Sequence, residues 1–426
     1  MAKPKLALVP AAQGSKLFSV LPSSGVGDFD FTRSGSATRI NSQGLIEEVS
    51  NGQSRLNYPM IDGKVVGCPH HILEPQRTNL IPYSEDFSNA VWQKNQSSIL
   101  SNNIISPDGT MNASKLVEDN SNNFHRIIEE ITLSVGTHTH TVFAKEGERK
   151  YFVLRNNING SNLNACFDLQ NGVVVYNGFD NAIIEYYGNG WYRCSIIEVD
   201  PSGGPASFSL MTSNNEVINN NIPSYQGDGT SGIYIWGAQV EEGSYATSYI
   251  PTNGSSVTRS AETANGSGDA DTFNDSEGVL MAEISSENDN STKIISLAST
   301  SGSENTVWIG YADGVYGIVR SGGVTVVETN IFPIQNNEIT KCAILYSNSN
   351  VKFYINGFNL FEDTNVSMPI GLDQLRFSRK GGSLPFYGNT KQIQYFDSAL
   401  KDSELEELTS WESFILMANG QNYTIE

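Results

Sequence analysis

The sequence predicts an all-β protein, in which two β-sandwich domains of the jelly-roll type follow a short, β-rich N-terminal connector. Short runs of β-branched and aromatic residues alternate with clusters of Asn, Ser, Gly and Pro, and glycine accounts for 39 of the 426 residues. Strands at such spacing, with no helical pattern between them, are typical of sandwiches and jelly rolls. The hydrophobic fraction of 38% is low for one large core but adequate for several small β domains.

The predicted connector covers residues 1–79. Its stretch "GDFDFTRSGSATRINSQGLIEEV" predicts two short strands joined by a polar turn at residues 41–44. The segment is too polar and too short to bury a core of its own. We therefore expect it to pack on the middle domain or on copies of itself.

The first sandwich is predicted over residues 80–260. Five runs read as strands because each combines β-branched or aromatic residues with flanking turn residues. These runs are "THTHTVFAK", "KYFVLR", "GVVVYNG", "WYRCSIIEV" and "SFSLMT". In "YIWGAQVEEGSYATSYIP", the alternation from Tyr234 to Ala238 predicts the last core strand of this domain, with Trp236 in the core, followed by an exit turn.

Residues 261–278 are predicted to be a linker, since "AETANGSGDADTFNDSEG" is rich in small and acidic residues and offers almost nothing to bury. The second sandwich is then predicted over residues 279–412. It begins with "VLMAEIS" and "KIISLAS" and ends in one short helix at 401–411, capped by Asp402 or Ser403. Residues 413–426 are expected to form a loose tail or a strand added to a neighbour.

Charge and composition exclude some classes of partner. The formal net charge is -20, from 46 acidic and 26 basic residues. Such a chain has little with which to neutralise a phosphate backbone, so neither nucleic acid nor an anionic membrane surface is an expected partner. No apolar run is long enough to span a bilayer, and the N-terminal residues lack the apolar core of a signal peptide. We expect synthesis in a host cytoplasm and release by lysis or another signal-less route.

Three segments resemble a modular family of bacteriophage and prophage fibre or spike proteins. They are "DFTRSGSATRINSQGLIEEV", "LEPQRTNLIPYSEDFSNAVW" and "WGAQVEEGSYATSYIPTNGSSVTR", which occur in the family's order. The resemblance implies a carbohydrate-binding-like jelly roll in the middle region. The C-terminal block, through "KCAILYSNSNVKFYINGFNL" and "YGNTKQIQYFDSALKDSELEELT", is similar to laminin-G or concanavalin-A-like lectin sandwiches. That similarity is a fold-level analogy, and such domains bind glycans, bind proteins or only assemble.

No catalytic motif is recognisable, so an enzyme is not expected. Glu241 and Glu242 are adjacent and point opposite ways in an extended chain, unlike the facing carboxylates of glycoside hydrolysis. His138 and His140 share a strand face, but a third metal ligand is not evident. No cofactor is expected. Structural calcium stays open at the acidic loops 227–232 and 267–277, which read better as solvated loops. Cys166 and Cys194 are either a disulfide or, in the preferred alternative, two buried free thiols.

Glycan binding by such domains relies on exposed aromatic faces with polar groups around them. Two clusters provide candidates, although aromatic residues at strand ends more often pack in a core. The candidate glycan-binding residues are Tyr186, Tyr187, Trp191 and Tyr192 around a Gly-Asn-Gly turn, and Trp308, Tyr311 and Tyr316 in the lectin-like domain.

The sequence therefore leads us to expect a head or tail fibre on the surface of a phage virion, displaying lectin-like modules toward host-surface or environmental glycans. The expected partners are other virion proteins through the N-terminal block, further copies of the chain in a homotrimer or a dimer, and a cell-surface glycan. Three alternatives remain: a purely structural capsid decoration protein, a polysaccharide depolymerase with an unrecognised catalytic site, and a cellular adhesin, which the missing export signal disfavours.

Overall fold

The computed structural model is almost entirely β, as the sequence predicts. It describes residues 3–9, 12–158, 160–217, 220–287, 289, 291–301, 304–335, 337–348 and 350–411. The predicted tail at 413–426 lies outside these residues. Within them, none of the helices combines the length and the apolar character that crossing a membrane requires.

The elements are numbered in chain order. The N-terminal strands are β1 Leu6–Leu8, β2 Ala12–Gln13, β3 Lys16–Leu17, β4 Phe29–Thr32, β5 Ala37–Ile40, β6 Ile46–Val49, β7 Arg55–Asn57, β8 Met60–Ile61, β9 Lys64–Val65, β10 His70–Leu73 and β11 Arg77–Asn79. The middle strands are β12 Gln93–Asn95, β13 Ser97–Ile104, β14 Ala113–Glu118, β15 Asn122–Asn123, β16 His125–Leu133, β17 Gly136–Lys145, β18 Tyr151–Ile158, β19 Ser161–Asp168, β20 Val173–Asn177, β21 Asn181–Tyr186, β22 Trp191–Asp200, β23 Gly204–Ser213, β24 Tyr225–Gln226 and β25 Gly232–Glu242. The C-terminal elements are β26 Val257–Arg259, β27 Thr263–Asn265, β28 Glu277–Ser285, β29 Lys293–Ala298, β30 Thr306–Tyr311, β31 Val315–Ser321, β32 Val324–Glu328, β33 Thr340–Ser347, β34 Asn350–Ile355, β35 Phe358–Thr364, β36 Gln374–Arg376, a 3₁₀ turn at Lys380–Gly382, β37 Gly388–Phe396 and α1 Asp402–Thr409.

The middle strands form a jelly roll of two six-stranded antiparallel sheets. The first sheet has the order β12-β16-β23-β18-β19-β20, and the second has the order β13-β14-β25-β17-β22-β21. Side chains at alternate positions of each strand point between the sheets, as in β17, where Val142 and Ala144 face the core while Phe143 faces outward. The five strands that the sequence predicts in this region are all present as β17, β18, β20, β22 and β23.

The C-terminal sandwich packs an eight-stranded sheet against a five-stranded sheet. The larger sheet runs β35-β34-β33-β28-β37-β10-β7, with β1 also paired to β37, and the smaller runs β32-β31-β30-β29-β36. Helix α1 is present over Asp402–Thr409 and buries Leu405 and Leu408 against the outer face of the larger sheet. Its N-cap is Lys401 rather than the predicted Asp402 or Ser403, and the Glu404 carboxylate accepts the Lys401 backbone N–H at 3.1 Å.

Strands β1, β7 and β10 complete this C-terminal sandwich, which the sequence did not predict, while Ile46 of β6 packs on the jelly roll, in line with the expected contact with the middle domain. Strand β28 occupies one edge of β37, while β1 and β10 pair along its other edge, with Leu6 opposite Tyr395 and His71 opposite Thr390. Leu6 and Leu73 join the same buried core as the C-terminal strands. The connector cannot bury a core alone, but its apolar residues fill one edge of a core formed mainly by distant sequence.

The predicted linker at 261–278 also belongs to the fold. Strand β27 pairs with β4, placing Ala264 opposite Phe31, and both side chains are buried in the C-terminal core. Phe273 enters the same core and its ring lies 5.0 Å from that of Tyr395. The expectation that this stretch has almost nothing to bury was therefore wrong, because two apolar residues among the acidic ones suffice to anchor it.

A buried ion-pair network fastens the N-terminal strands to the segment that leaves the jelly roll. The Glu262 carboxylate accepts Arg33 Nη1 at 2.7 Å and Arg55 Nε at 2.8 Å. The Glu74 carboxylate accepts Arg55 and Arg259, each at 2.8 Å. Burial by itself would raise the pKa of Glu74, but the two arginines outweigh it and hold that pKa well below its usual range.

Candidate functional site

The aromatic residues predicted in the lectin-like domain are buried and offer no face to a ligand. Tyr311 points into the sandwich core and donates its hydroxyl to the Ser286 carbonyl at 2.7 Å. Trp308 and Tyr316 lie on the outer face of the five-stranded sheet, yet Trp308 is only 4% exposed and the Arg379 guanidinium sits 5.6 Å from its ring centroid. All three predictions are corrected for the same reason, since neighbouring side chains cover the rings.

The second predicted cluster surrounds the turn between β21 and β22. Tyr186 is 38% exposed and its ring lies 4.9 Å from that of Tyr192. Trp191 is only 2% exposed and donates its indole N–H to the Ile105 carbonyl at 3.1 Å, so it cannot act as a stacking platform as predicted. Tyr187 is partly buried beside it. The structure therefore brings this cluster together but leaves only its tyrosines accessible.

Trp236 is buried, as predicted, but outside the jelly-roll core. It packs with Phe143, Trp191 and Tyr249 on the outer face of the second sheet, and Ile46 of the N-terminal block covers that cluster. The exit turn predicted after β25 supplies Tyr249, whose ring lies 4.7 Å from that of Trp236. The outer face of this sheet is thus partly closed by the N-terminal hairpins, which leaves a groove beside them.

We call this feature the jelly-roll groove, a depression of about 910 Å³ on the outer face of the second sheet. Its lining residues are Gln43, Gly44, Leu45, Gly63, Asn103, Ile104, Ile105, Ser106, Pro107, Met111, Lys145, Tyr187, Gly188, Asn189, Trp191 and Tyr234. Two of them, Tyr187 and Trp191, are predicted site residues. Tyr234 was not among the predicted site residues, because the alternation of β25 was interpreted with Trp236, which shares its face, in the core. In the structure Ile233 and Ile235 face the core, and Tyr234 and Trp236 face outward.

The walls of the groove are held by close backbone contacts. The turn at Gly63 meets the β21–β22 turn, and a Cβ atom on Gly63 would lie 2.5 Å from the backbone nitrogen of Gly188. Gly63 has a φ of +67°, which a glycine adopts without strain. Lys145 closes one end by donating its Nζ to the Asn189 carbonyl at 2.5 Å. The groove is therefore formed by the N-terminal block and the jelly roll together.

The chemistry of the groove suits binding rather than acid–base catalysis. It presents tyrosine rings and apolar side chains beside the amides of Gln43, Asn103 and Asn189. Among the described residues that line it, no Asp, Glu or His occurs, so the groove has neither the carboxylate pair of a glycosidase nor an imidazole base. Aromatic faces with neutral amide groups are the elements that hold a sugar ring.

The two histidines that the sequence places on one strand face as candidate metal ligands lie beside other polar groups of the protein. His138 and His140 share the core-facing side of β17, where His138 Nε2 lies 3.1 Å from Ser134 Oγ and His140 Nε2 lies 2.7 Å from Glu198. Among the residues that the structure describes, no group of three or more His, Cys, Asp or Glu side chains is placed to hold a metal ion.

The acidic loops and the cysteines are likewise accounted for by local structure. The carboxylates of Asp228 and Asp269 accept hydrogen bonds from the turns that follow them, at 2.7 Å from the Ser231 N–H and 3.0 Å from the Thr272 N–H. Cys166 and Cys194 are free buried thiols that belong to different clusters, one outside and one inside the jelly-roll core. The preferred alternative of two free thiols is thereby confirmed.

Comparison with known proteins gives only distant structural neighbours. No protein-family model and no curated protein matches the chain. The CBM40 module of the Ruminococcus gnavus IT-sialidase, bound to alpha2,3 sialyllactose, is 15% identical, with 32% of this chain and 84% of that chain covered and a TM-score of 0.29. The Trypanosoma rangeli sialidase in complex with the inhibitor DANA is 10% identical over 93% of this chain and 82% of that chain, with a TM-score of 0.29. Domains LG4-5 of the mouse laminin alpha1 chain are 10% identical, with 76% of this chain and 91% of that chain covered and a TM-score of 0.22. Similarity at these scores carries no argument about function.

Proposed function

We propose that this chain is a non-enzymatic glycan-binding protein whose jelly-roll groove holds one or two sugar rings. The observation that carries the proposal is the composition of that groove. Tyr234 and Tyr187 line a depression of about 910 Å³ whose polar groups include amides, hydroxyl groups and one lysine, with no carboxylate among its described lining residues. Such a lining can stack on the CH face of a sugar and donate to its hydroxyl groups, but it cannot transfer the protons that glycoside hydrolysis needs.

The finer part of the proposal is that the chain is a head or tail fibre on the surface of a phage virion. It is supported by the resemblance of the segments between about residues 28 and 260 to phage fibre and spike proteins and by the net charge of -20, which disfavours nucleic acid. We propose further that the N-terminal block contacts other virion proteins and that copies of the chain assemble, most simply as a trimer. Several copies would compensate for a shallow, weak site through avidity.

The binding proposal is tested with a microarray of bacterial and mucosal glycans probed with the full chain. We expect Tyr234→Ala to weaken binding by about two- to tenfold, because loss of one aromatic contact is worth about 0.5–1.5 kcal/mol. Tyr234→Phe keeps the ring and should retain most of the affinity. Tyr176→Ala is the matched control, since Tyr176 is a half-buried tyrosine on the outer face of the other sheet.

Each outcome of this experiment bears on the proposal. Full binding by Tyr234→Ala would exclude the jelly-roll groove as the site, and absence of binding by the parent chain would favour the structural decoration protein. Release of product sugars from a capsule polysaccharide would show an enzyme instead. Immunogold labelling of intact particles tests the virion part: gold on heads or on tails supports a fibre, whereas no gold on any particle contradicts it.

A further inference from the structure

A second concave site lies between the jelly roll and the C-terminal sandwich. We call it the inter-module cleft, and it consists of two adjoining cavities of about 660 Å³ and 250 Å³ that share Asn57, Glu185, Asn337 and Asn389. The floor of the larger cavity is the outer face of the eight-stranded sheet. Its lining residues are Asn57, Pro59, Met60, Ile61, Val66, Gly67, Cys68, His70, Glu185, Glu283, Ser285, Asn337, Ile339, Lys341, Asn389, Lys391, Gln392 and Trp411.

One polar side-chain atom in the larger cavity is buried without a hydrogen-bond partner among the described residues, and an imidazole lines the same cavity. The imidazole belongs to His70, which is only 7% exposed as a residue. The buried atom is Nε1 of Trp411, which has no acceptor in the described part of the chain. Buried polar groups without partners are rare in folded proteins, and at the wall of a cavity they point to a ligand or solvent that satisfies them.

The charges of the cavity are balanced. Glu283 is buried and its carboxylate is held by Lys391 at 2.7 Å and by the Gln392 amide at 2.7 Å. Burial, aided by the charge of Lys391, lowers the pKa of His70 to about 4, so this imidazole is neutral near pH 7 and presents one donor and one acceptor. The remaining lining charges, Lys341 and Glu185, are one of each sign. With His70 neutral, the charges that line the larger cavity sum to zero, so the cavity has no net charge to attract a charged ligand.

We propose that the inter-module cleft is a second binding site, which takes the end of a neutral oligosaccharide. Neutral hydroxyl groups match His70, Asn57, Asn389 and the indole N–H, while Met60 and the other apolar residues of the β8–β9 hairpin face the CH surface of a sugar. This inference rests on the proposed glycan-binding function but concerns a separate site. Because the N-terminal block, the jelly roll and the C-terminal sandwich all line the cleft, a bound ligand would also hold these parts together.

The free thiol of Cys68 provides a direct test in the full native chain. Cys68 is exposed and lines the cleft, whereas Cys166, Cys194 and Cys342 are buried. A fluorescent maleimide should therefore label Cys68 selectively. We expect at least one of four neutral probes, maltohexaose, cellohexaose, chitohexaose and mannohexaose, to slow this labelling at least about threefold at saturation, because a bound sugar excludes the reagent.

Variants separate this inference from the proposed function. His70→Phe keeps the volume of the ring but removes both hydrogen-bonding nitrogens, and should weaken the protection of Cys68 by about three- to tenfold in sugar concentration. Tyr234→Ala should leave the protection unchanged while it weakens binding at the jelly-roll groove. Binding that depends on Tyr234 without any protection of Cys68 would overturn the cleft and leave the proposed function standing. Protection that survives His70→Phe unchanged would also overturn it.

Discussion

Glu129 of the jelly roll should make the stability of the protein depend on pH. It lies on β16 between Ile127 and Ile131, all three facing the core, and it is 5% exposed with no hydrogen bond to its Oε2 atom. Burial, reinforced by the neighbouring Glu130 carboxylate, raises the pKa of Glu129 from 4.5 to about 7. The folded state therefore binds this proton more tightly than the unfolded chain does.

The sign and size of the effect follow from that difference. Below about pH 4.5 the carboxyl is protonated in both states and has no linked cost. As the pH rises toward about 7, the unfolded chain loses the proton first and the folded state becomes relatively less stable. At about 1.4 kcal/mol per pH unit, the rise from 4.5 to about 7 corresponds to about 3 kcal/mol at pH 8. Because Glu130 is exposed and solvent screens its charge, we expect about 2–3 kcal/mol.

Glu129→Gln removes the titration while keeping the shape of the side chain. We expect the variant to be more stable than the parent by about 2–3 kcal/mol near pH 8, a rise in Tm of about 4–10 °C for the jelly roll, and equally stable near pH 4. Differential scanning calorimetry across this pH range measures the difference. Glu130→Gln removes only the exposed neighbouring charge that reinforces the shift and leaves Glu129 buried, so it should give a smaller gain over the same pH range. A gain that is the same at both pH values, or no gain, would refute the reasoning.

Three further substitutions test the packing between the parts of the chain. Glu262→Gln should destabilise the protein by about 3–5 kcal/mol because it leaves buried arginines without their countercharge. The control Glu47→Gln breaks a solvent-exposed pair and should cost less than about 1 kcal/mol. Urea unfolding of the two variants measures the difference. Gly63→Ala should lower the Tm more than Gly52→Ala, because both have a positive φ but only the first would place its Cβ against the facing turn; equal effects would contradict the tight contact. Phe273→Ala should lower the free energy of unfolding by about 3–5 kcal/mol, as truncation of a core aromatic residue does. A decrease below about 1 kcal/mol would indicate that the segment is a linker, as the sequence predicts.

Local patterns were enough to predict about half of the jelly-roll strands, several strands of the C-terminal sandwich and the terminal helix. Runs such as "THTHTVFAK" and "WYRCSIIEV" lie within β17 and β22, since alternation of side chains and flanking turn residues is written in adjacent positions. The same alternation places Tyr234 and Trp236 on one face of β25, but that face was predicted to be the core and is the outer one in the structure. Period-2 patterns, however, tell only which residues share a face, and they do not tell which element covers that face.

Tertiary structure decided which outward-facing aromatic side chains are covered by other elements, and the candidate sites depended on that. Trp308 and Trp191 each point away from a sandwich core, yet Arg379 and the Ile105 loop cover them, so neither could be recognised as buried from its own strand. Phe273 stands among small and acidic residues that predict a linker, and only its contact with the C-terminal core shows that it anchors the segment.

The sequence by itself thus determined the all-β class, the strand positions and the charge that disfavours nucleic acid. Only the tertiary structure determined that the first strands complete the last domain, and that a jelly-roll groove and an inter-module cleft lie between parts that are distant in sequence. The physical reason is that hydrogen bonding along a strand and alternation of its side chains are local, whereas burial of a given face depends on pairing between residues hundreds of positions apart, such as Leu6 and Tyr395.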